Sequence, residues 1–169
     1  LASCRNAGVR ASRAPYLLFT DGDCILPPDH LRIHLDQRRH GAVNGSDCLH
    51  LDRATSEALD ENAIRNGEYR GRAPLREHWR LRREHWDARL NWLLRHPHKP
   101  KLFGNNIALW RSDLERINGF DERFKGWGGE DDDLRLRLRA AGLHIRSLRR
   151  LTHCWHLWHP SAESAPTHY

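Results

Sequence analysis

The sequence has 169 residues, of which 38% are hydrophobic and 30% are charged, and its formal net charge is +6. This length and composition suit one compact domain with a modest core, and no apolar stretch approaches the roughly 20 residues of a membrane-spanning helix. The four cysteines are scattered and form no CxxC pair, which argues against a disulfide framework or a cysteine-rich zinc site and indicates a reducing compartment.

An apolar strand that runs into an acidic turn is predicted near the start of the chain. Tyr16–Thr20 is a short apolar and β-branched run, typical of a buried strand, and it ends at Asp21-Gly22-Asp23. Residues two apart in extended backbone point to the same side, so both carboxylates can converge on one hard cation. A plain acidic turn is the alternative for this triplet taken alone.

The next segments are predicted to be a helix, two strands and a long loop. The helix covers Asp29 to Arg39, because two prolines precede it and suit a first helical turn. Short strands are expected at Val43 and at Cys48–Leu51, with Asn44-Gly45 as the turn between them. Residues 52–72 are polar and contain glycine, so we expect a loop there.

A long basic helix is predicted over Leu75–Leu94. Its apolar residues recur at steps compatible with one helical stripe, which we expect to pack against the domain: Leu75, Trp79, Trp86, Leu90 and Leu93. Arginine crowds the rest of the segment from Arg70 to Arg95. A solvated basic face, peripheral contact with a membrane surface, and stacking on single-stranded nucleic acid are the alternatives for this helix.

The last third of the chain is predicted to contain strands and two helices. Lys101–Trp110 fits a strand interrupted by glycine and asparagine, and Ser112–Glu115 is a capping pattern that opens a short helix. Leu134–Ala141 is predicted to be a helix, because the acids of Glu130–Asp133 favour the positive end of a helix dipole, although its Leu-Arg alternation also fits a strand. Leu143–Leu148 is the final strand, and strands alternating with helices indicate an α/β layered fold.

Two segments of this last third carry candidate chemistry. In Gly126–Asp133, glycines around Trp127 form a pliable loop with a flat aromatic surface suited to sugar C–H faces. The adjacent carboxylates offer hydroxyl acceptors and one general base. Histidines recur at His153, His156 and His159, and an imidazole added to two carboxylates would suit manganese better than magnesium. Purely structural histidines are the alternative.

These motifs, taken in order, resemble those of the A-type-fold glycosyltransferases. Phe19–Asp23 resembles their Asp-x-Asp motif, and Gly126–Asp133 is similar to the Gly-Trp-Gly-Gly-Glu-Asp-Asp-Asp signature of the β-1,4-galactosyltransferases and related bacterial family-two enzymes. Arg5–Gly8 resembles the Arg-Asn-x-Gly segment of family two. Gly104–Asn106 followed by Asn118–Glu122 resembles the strand and helix that lead to the acceptor loop.

The resemblance implies an A-type glycosyltransferase fold, a Rossmann-like mixed sheet flanked by helices, present as a single partial domain. Residues 1–51 would end the nucleotide-sugar and metal half, residues 52–100 would form a variable loop and basic helix, and residues 101–169 would form the acceptor and catalytic half. Methionine is absent and residue 1 is leucine. We therefore expect an N-terminal portion with most uracil and ribose contacts to be missing, and the fragment alone to be inactive.

The resemblance also implies a role for each motif residue. The implied groups are the catalytic base Asp131; the metal ligands Asp23, Asp21 and His156, with His159 as the alternative histidine; the donor contacts Arg5, Asp21 and Asp23; and the acceptor contacts Trp127, Gly129, Glu130 and Asp131.

The implied activity is metal-dependent, inverting transfer of a sugar from a nucleotide sugar, a UDP-sugar first, to a glycan or lipid-linked acceptor. Mn²⁺ is the implied metal, with Mg²⁺ as the alternative. By analogy, the expected location is the bacterial cytoplasm, including the inner face of the membrane. The alternatives are a non-catalytic carbohydrate-binding fragment and a basic nucleic-acid-binding module. The acidic run Glu130–Asp133 would repel phosphates, so no nucleic-acid partner is expected.

Overall fold

The computed structural model describes residues 1–94, 96, 99–125 and 128–160. Within these residues the helices are α1 Ala2–Ala11, α2 His30–Asp36, α3 Arg53–Ala58, α4 Glu61–Arg65, α5 Leu75–Leu93, α6 Arg111–Arg116 and α7 Glu130–Ala140, with a 3-10 helix at Glu68–Gly71. The strands are β1 Tyr16–Phe19, β2 Cys24–Ile25, β3 Ala42–Gly45, β4 Cys48–His50, β5 Ile107–Trp110, β6 His144–Ser147 and β7 Cys154–His156.

The described strands form two small mixed sheets. The larger has the order β1-β5-β3-β6, in which β5 runs antiparallel to β1 and β3, while β6 runs parallel to β3. The smaller has the order β2-β7-β4, with β7 antiparallel to β2 and parallel to β4. The mixed α/β architecture expected from the sequence is confirmed.

Two hydrophobic clusters hold these sheets in place. The first packs α7 and the Phe120 region against the larger sheet, through Val43, Ile107, Leu134 and Leu138 among others. The second cluster includes Leu49, Leu81 and Trp155 and lies beside the smaller sheet. Burying each large apolar side chain contributes about 1.5–3 kcal/mol, so these contacts supply most of the driving force for folding.

The segment that begins with four acids is a helix, and the alternative of a strand is excluded. Glu130–Asp133 occupy the first turn of α7, where carboxylates interact favourably with the exposed N–H groups. Leu134 and Leu138 lie one turn apart on the same face and are both fully buried in the core. The chain leaves the helix at Gly142, whose φ of 83° favours glycine.

The predicted turn at Asn44-Gly45 is wrong. Both residues are buried inside β3, and Gly45 pairs with Ile107 of β5. The Asn44 side-chain amide donates to the Tyr16 hydroxyl oxygen over 3.1 Å, so its polar group is satisfied within the sheet. A Cβ at position 45 would lie 2.7 Å from Leu102 Cδ2, so glycine here permits close packing and has no role in a turn.

The loop predicted for residues 52–72 is also wrong, because this segment contains α3, α4 and the 3-10 helix. Two aspartates cap these short helices. Thr55 N donates to Asp52 Oδ1 over 2.8 Å, and Ala63 N donates to Asp60 Oδ1 over 2.7 Å. Each such cap stabilises a helix by about 1 kcal/mol. Neither helix is long enough to show a clear apolar repeat, so only the capping residues could have indicated them.

The predicted long helix is confirmed as α5, but the orientation of its apolar stripe is wrong. The side of α5 that faces the domain carries Leu81, His85 and Ala88, which are buried. Arg80 Nη1 on that side lies 3.1 Å from Asp47 Oδ2. The predicted packing stripe faces outward, with five residues that are each between 54% and 77% exposed: Leu75, Trp79, Trp86, Leu90 and Leu93.

Helix α2 carries two buried histidines, each with one polar side-chain partner. His30 Nδ1 lies 2.6 Å from Thr152 Oγ1, and His34 Nε2 lies 3.0 Å from Asn106 Oδ1. Burial lowers the pKa of each imidazole to about 4, and the neighbouring His30 contributes to the lowering at His34. The folded state therefore holds both rings neutral at pH values where an unfolded histidine takes up a proton.

We expect the domain to lose stability as the pH falls from about 6.5 towards 4, because the unfolded chain then binds more protons than the folded chain. Between about pH 7 and pH 5, each buried histidine should lower the free energy of unfolding by about 2 kcal/mol. Urea unfolding at the two pH values measures this loss. His34→Gln should reduce this loss of stability by about half, because one of the two buried histidines is then absent. The glutamine amide can still donate to Asn106, so the fold should be retained.

The matched control is His144→Gln, because His144 is exposed and should not alter the pH dependence. Equal free energies of unfolding at both pH values in the unmodified chain would contradict the prediction.

Candidate functional site

The guanidinium of Arg5, on α1, joins two acidic segments that are far apart in the chain. Its Nη1 donates to Asp131 Oδ1 over 2.9 Å and lies 3.3 Å from Glu130 Oε1, while Nη2 lies 3.4 Å from Asp21 Oδ1. The side chains of Arg5 and Glu130 are only 9% and 5% exposed, so these interactions are shielded from water. The structure therefore brings the acidic turn and the start of α7 together on either side of Arg5.

Gly104, just before β5, holds both partners of this ion pair in place. Its backbone N–H donates to Asp131 Oδ2 over 2.7 Å. A Cβ at this position would lie 2.6 Å from the guanidinium carbon of Arg5, so a side chain here would displace the arginine. This role of Gly104 was missed from the sequence, although a glycine within a strand-like run is a known sign of close backbone approach.

Asp131, the predicted general base, is largely buried beside Arg5. Burial raises the pKa of its carboxyl group, whereas Arg5 and the Gly104 N–H lower it; the net result is a raised pKa. Its side chain is still 27% exposed, so a ligand can reach it. A carboxylate whose pKa is moved towards neutrality can take a proton more effectively from a hydroxyl group.

Among the predicted acceptor residues, Glu130 contacts Arg5 and Gly129 lies next to it at the start of α7. Glu130 Oε2 accepts a hydrogen bond from Gly128 N over 3.1 Å, so this buried carboxylate also fixes the backbone at Gly128. Gly129 has a φ of 86° and marks the start of α7. Trp127 lies outside the described residues. The acceptor roles of all four predicted residues, Trp127, Gly129, Glu130 and Asp131, stay predictions.

Asn6, next to Arg5, fixes the loop that follows α6. Its amide nitrogen donates to Phe120 O over 2.8 Å and to Glu122 Oε1 over 2.9 Å, and its Oδ1 accepts from Phe120 N over 2.9 Å. The Phe120 ring in turn lies 5.3 Å from the Arg5 guanidinium carbon. Asn6 therefore positions Phe120 beside Arg5, a role that sequence reasoning did not assign.

A second cluster lies at the pairing of β2 with β7. Asp23 Oδ2 lies 3.5 Å from His156 Nε2 and 3.3 Å from His159 Nε2. The donor atoms of these three residues all lie within 4.8 Å of one another. Both histidines are therefore close enough to act together, whereas the sequence left them as alternatives.

This donor set fits a divalent metal ion. The second oxygen of Asp23, Oδ1, is buried and has no hydrogen-bond partner among the described residues, which is costly unless another ligand satisfies it. One carboxylate with two imidazoles suits Mn²⁺ better than Mg²⁺. Among the described residues, Asp21 lies outside the cluster and contacts Arg5 instead.

The chain matches the family described as the N-terminal domain of galactosyltransferase over residues 84–160. It is 32% identical over 157 residues to validoxylamine A glucosyltransferase of Streptomyces hygroscopicus subsp. jinggangensis, a match that covers 85% of this chain and 36% of that protein. It is 55% identical over 45 residues to β-1,4-galactosyltransferase 4 of Rattus norvegicus, covering 27% of this chain and 13% of that protein. The chain thus spans about a third of the length of the first of these relatives.

The fold is shared with a solved structure, the mannosyltransferase PcManGT from Pyrobaculum calidifontis in complex with GDP-Man and Mn²⁺. The TM-score is 0.54 at 16% sequence identity, and the match covers 93% of this chain and 36% of that chain. At this identity the likeness establishes the fold alone. The sequence relatives show that the chain belongs to the glycosyltransferases related to family two and to the β-1,4-galactosyltransferases, and its fold is the A-type fold.

Proposed function

We propose that this chain supplies the metal-binding and acceptor-binding part of an enzyme that transfers a sugar from a nucleotide sugar to a glycan or lipid-linked acceptor. The observation that carries the proposal is the Arg5 bridge, in which one guanidinium contacts both Asp21 and Asp131. Asp23, two residues after Asp21, lies with His156 and His159 in a cluster that fits a metal ion.

Asp131 acts as the base in this proposal. Its carboxylate takes the proton of the acceptor hydroxyl while that oxygen attacks the anomeric carbon from the face opposite the nucleotide, which inverts the configuration. Arg5 and the Gly104 N–H orient the carboxylate through 2.9 Å and 2.7 Å hydrogen bonds. A base held in position in this way contributes about 10²–10⁴-fold to the rate.

Asp23, His156 and His159 would hold the metal ion, with Mn²⁺ preferred and Mg²⁺ as the alternative. A bound divalent ion would supply positive charge against the negative charge that grows on the leaving diphosphate. The similar mannosyltransferase was solved with Mn²⁺, which supports this choice. We propose a UDP-sugar as the donor class, and the GDP-Man bound by that mannosyltransferase makes GDP-sugars the first comparison.

The test is a donor screen on the full translated protein that contains this chain. With Mn²⁺ present, UDP-sugars and GDP-sugars are supplied with and without glycan acceptors, and release of free nucleotide is measured. We expect release that depends on the acceptor, with NMR showing an inverted anomeric configuration in the product. Saturable binding of sugars without any transfer or hydrolysis would instead support the carbohydrate-binding alternative.

A further inference from the structure

The outer face of α5 is an exposed apolar stripe. By helical geometry its five residues fall within an arc of about 60° and extend along about 27 Å of helix. They are mostly exposed to solvent, whereas large apolar residues in such a row normally face a core or a partner. We call this surface the α5 stripe; its residues are Leu75, Trp79, Trp86, Leu90 and Leu93.

Arginines lie beside both tryptophans of the α5 stripe. The guanidinium carbon of Arg82 lies 5.5 Å from the centre of the Trp79 ring. Those of Arg89 and Arg150 lie 5.7 Å and 5.8 Å from the centre of the Trp86 ring. Positive charge therefore borders the tryptophans directly.

The acidic residues of α5 lie away from the stripe. Glu77 and Glu84 both bond Arg80 on the side that faces the domain. Asp87 is exposed and lies about 100° around the helix from the centre of the stripe. The surface that combines apolar and aromatic groups with arginine is thus largely free of carboxylates.

A basic groove of about 490 Å³ continues from this surface between α5 and β6. Four of its lining residues belong to α5 itself: His85, Ala88, Arg89 and Trp92. The facing wall carries Arg39, His40, His144 and Arg146, and no acidic residue lines the groove in the part of the chain that the structure describes. The groove therefore offers a concave site for anionic groups beside the apolar stripe.

This combination matches the surface of an anionic bilayer better than other occupants. Tryptophan and leucine can enter the boundary between headgroups and acyl chains, while arginines remain at the level of the phosphates. A nucleic acid could stack on the tryptophans, but it would leave Leu75, Leu90 and Leu93 in water. A second copy packed on the same face would bring arginines against arginines.

We propose that the α5 stripe and the adjoining basic groove bind the surface of an anionic lipid bilayer, as a peripheral contact. None of the described helices is long and apolar enough to cross a membrane. The contact uses the outer face of α5 and the adjoining groove, and neither Asp131 nor the metal-binding cluster belongs to them, so it is independent of whether sugar transfer is observed.

A bilayer bound in this way would have a defined position relative to the metal-binding cluster. Glu77 on the inner side of α5 lies 2.9 Å from His50 Nδ1, and the ring centre of His50 lies 5.3 Å from that of His156. The helix is therefore coupled through one short chain of contacts to the sheet that carries a candidate metal ligand.

Vesicle co-sedimentation of the full chain tests the proposal, with phosphatidylcholine vesicles compared with vesicles that also contain phosphatidylglycerol. We expect stronger binding to the anionic vesicles, which weakens as salt is added. The double variant Arg82→Gln/Arg89→Gln should lower anionic-vesicle binding by about 10–30-fold, since each arginine near a charged surface strengthens binding several-fold. Trp79→Ser/Trp86→Ser should weaken vesicle binding and reduce the blue shift of tryptophan fluorescence on binding.

The matched control is Trp158→Ser. Trp158 is likewise exposed, at 40%, and its ring centre lies 4.9 Å from the guanidinium carbon of Arg53, but it lies outside α5. We expect this variant to bind vesicles like the unmodified chain. Circular dichroism of each variant checks that the fold is retained.

Three outcomes would overturn the proposal. They are equal binding to both kinds of vesicle, full binding by Trp79→Ser/Trp86→Ser, and equal losses in that variant and in Trp158→Ser. A dimer seen by light scattering that disappears in Trp79→Ser/Trp86→Ser would instead identify a second copy as the occupant. A salt-sensitive gel shift with RNA, in the absence of vesicle binding, would identify a nucleic acid.

Discussion

Replacing Asp131 with asparagine should lower kcat for sugar transfer by about 10²–10⁴-fold, because the amide cannot accept the proton of the acceptor hydroxyl. The substitution preserves the size of the side chain, and the asparagine oxygen can still accept the hydrogen bond that Gly104 N donates over 2.7 Å. The Gly104 contact should therefore persist, while the base and its ion pair with Arg5 are lost. Initial rates of nucleotide release at saturating donor and acceptor measure the effect.

The pH dependence of kcat in the unmodified enzyme tests the same assignment of Asp131 as the base. Because burial raises the pKa of Asp131, the carboxylate is protonated, and the rate falls, at a higher pH than an ordinary aspartate would require. Arg5 opposes this rise but does not reverse it, so the acidic limb of the profile should lie above the usual aspartate range.

Asp133→Asn is the matched control for this substitution. Asp133 belongs to the same acidic run, but its Oδ2 lies 2.6 Å from Arg137 Nη2, one turn along α7, and does not contact Arg5. Losing such an intrahelical pair costs about 0.5 kcal/mol or less, so the rate should change by less than about threefold. Near-normal turnover by Asp131→Asn would show that another group is the base, and equal losses in both variants would point to damage in α7.

Replacing Asp23 with alanine should weaken Mn²⁺ binding by at least about 10–100-fold, since even the loss of a residue that only supports a metal ligand has an effect of that size. The remaining imidazoles of His156 and His159 would then lack the only carboxylate of the cluster. Isothermal titration of the chain with MnCl₂ measures the affinity directly and does not depend on turnover. Chelation with EDTA should in turn abolish nucleotide release by the full enzyme.

The same titration separates the roles of the two histidines. If both coordinate the ion, His156→Ala and His159→Ala should each weaken Mn²⁺ binding by at least about 10-fold; if one coordinates, a single variant will do so. His50→Gln is the control, because its ring lies 5.3 Å from that of His156 but its Nδ1 contacts Glu77. Unchanged Mn²⁺ affinity in Asp23→Ala would exclude this cluster as the metal site.

The family resemblance and the local elements could be predicted from the sequence because they depend on residues that are close in the chain. The limits of α5 follow from helical spacing, and the end of α7 follows from Gly142. The start of α7 was predicted four residues too late, because the acids expected just before it form its first turn. The candidate base, the acidic turn and the late histidines stand in recognisable motifs. Their chemical identity was therefore accessible before any coordinates.

The sequence could not decide which face of α5 is buried. An apolar stripe shows that one face differs from the others, but it does not show whether that face meets the core or a partner. The small side chain of Ala88 and the ion pair of Arg80 with Asp47 place the opposite face inward. That ion pair joins residues 33 positions apart, so no local pattern could reveal it.

The sequence by itself determined which residues could do chemistry here, because residue type and short spacing set what a side chain can donate, accept or coordinate. Only the tertiary structure decided that Arg5 binds both Asp21 and Asp131, and that Asn44-Gly45 continues a strand. These outcomes depend on close approach between distant segments, such as Gly104 against the Arg5 guanidinium. Close packing of this kind is a property of the assembled core, and no single segment encodes it.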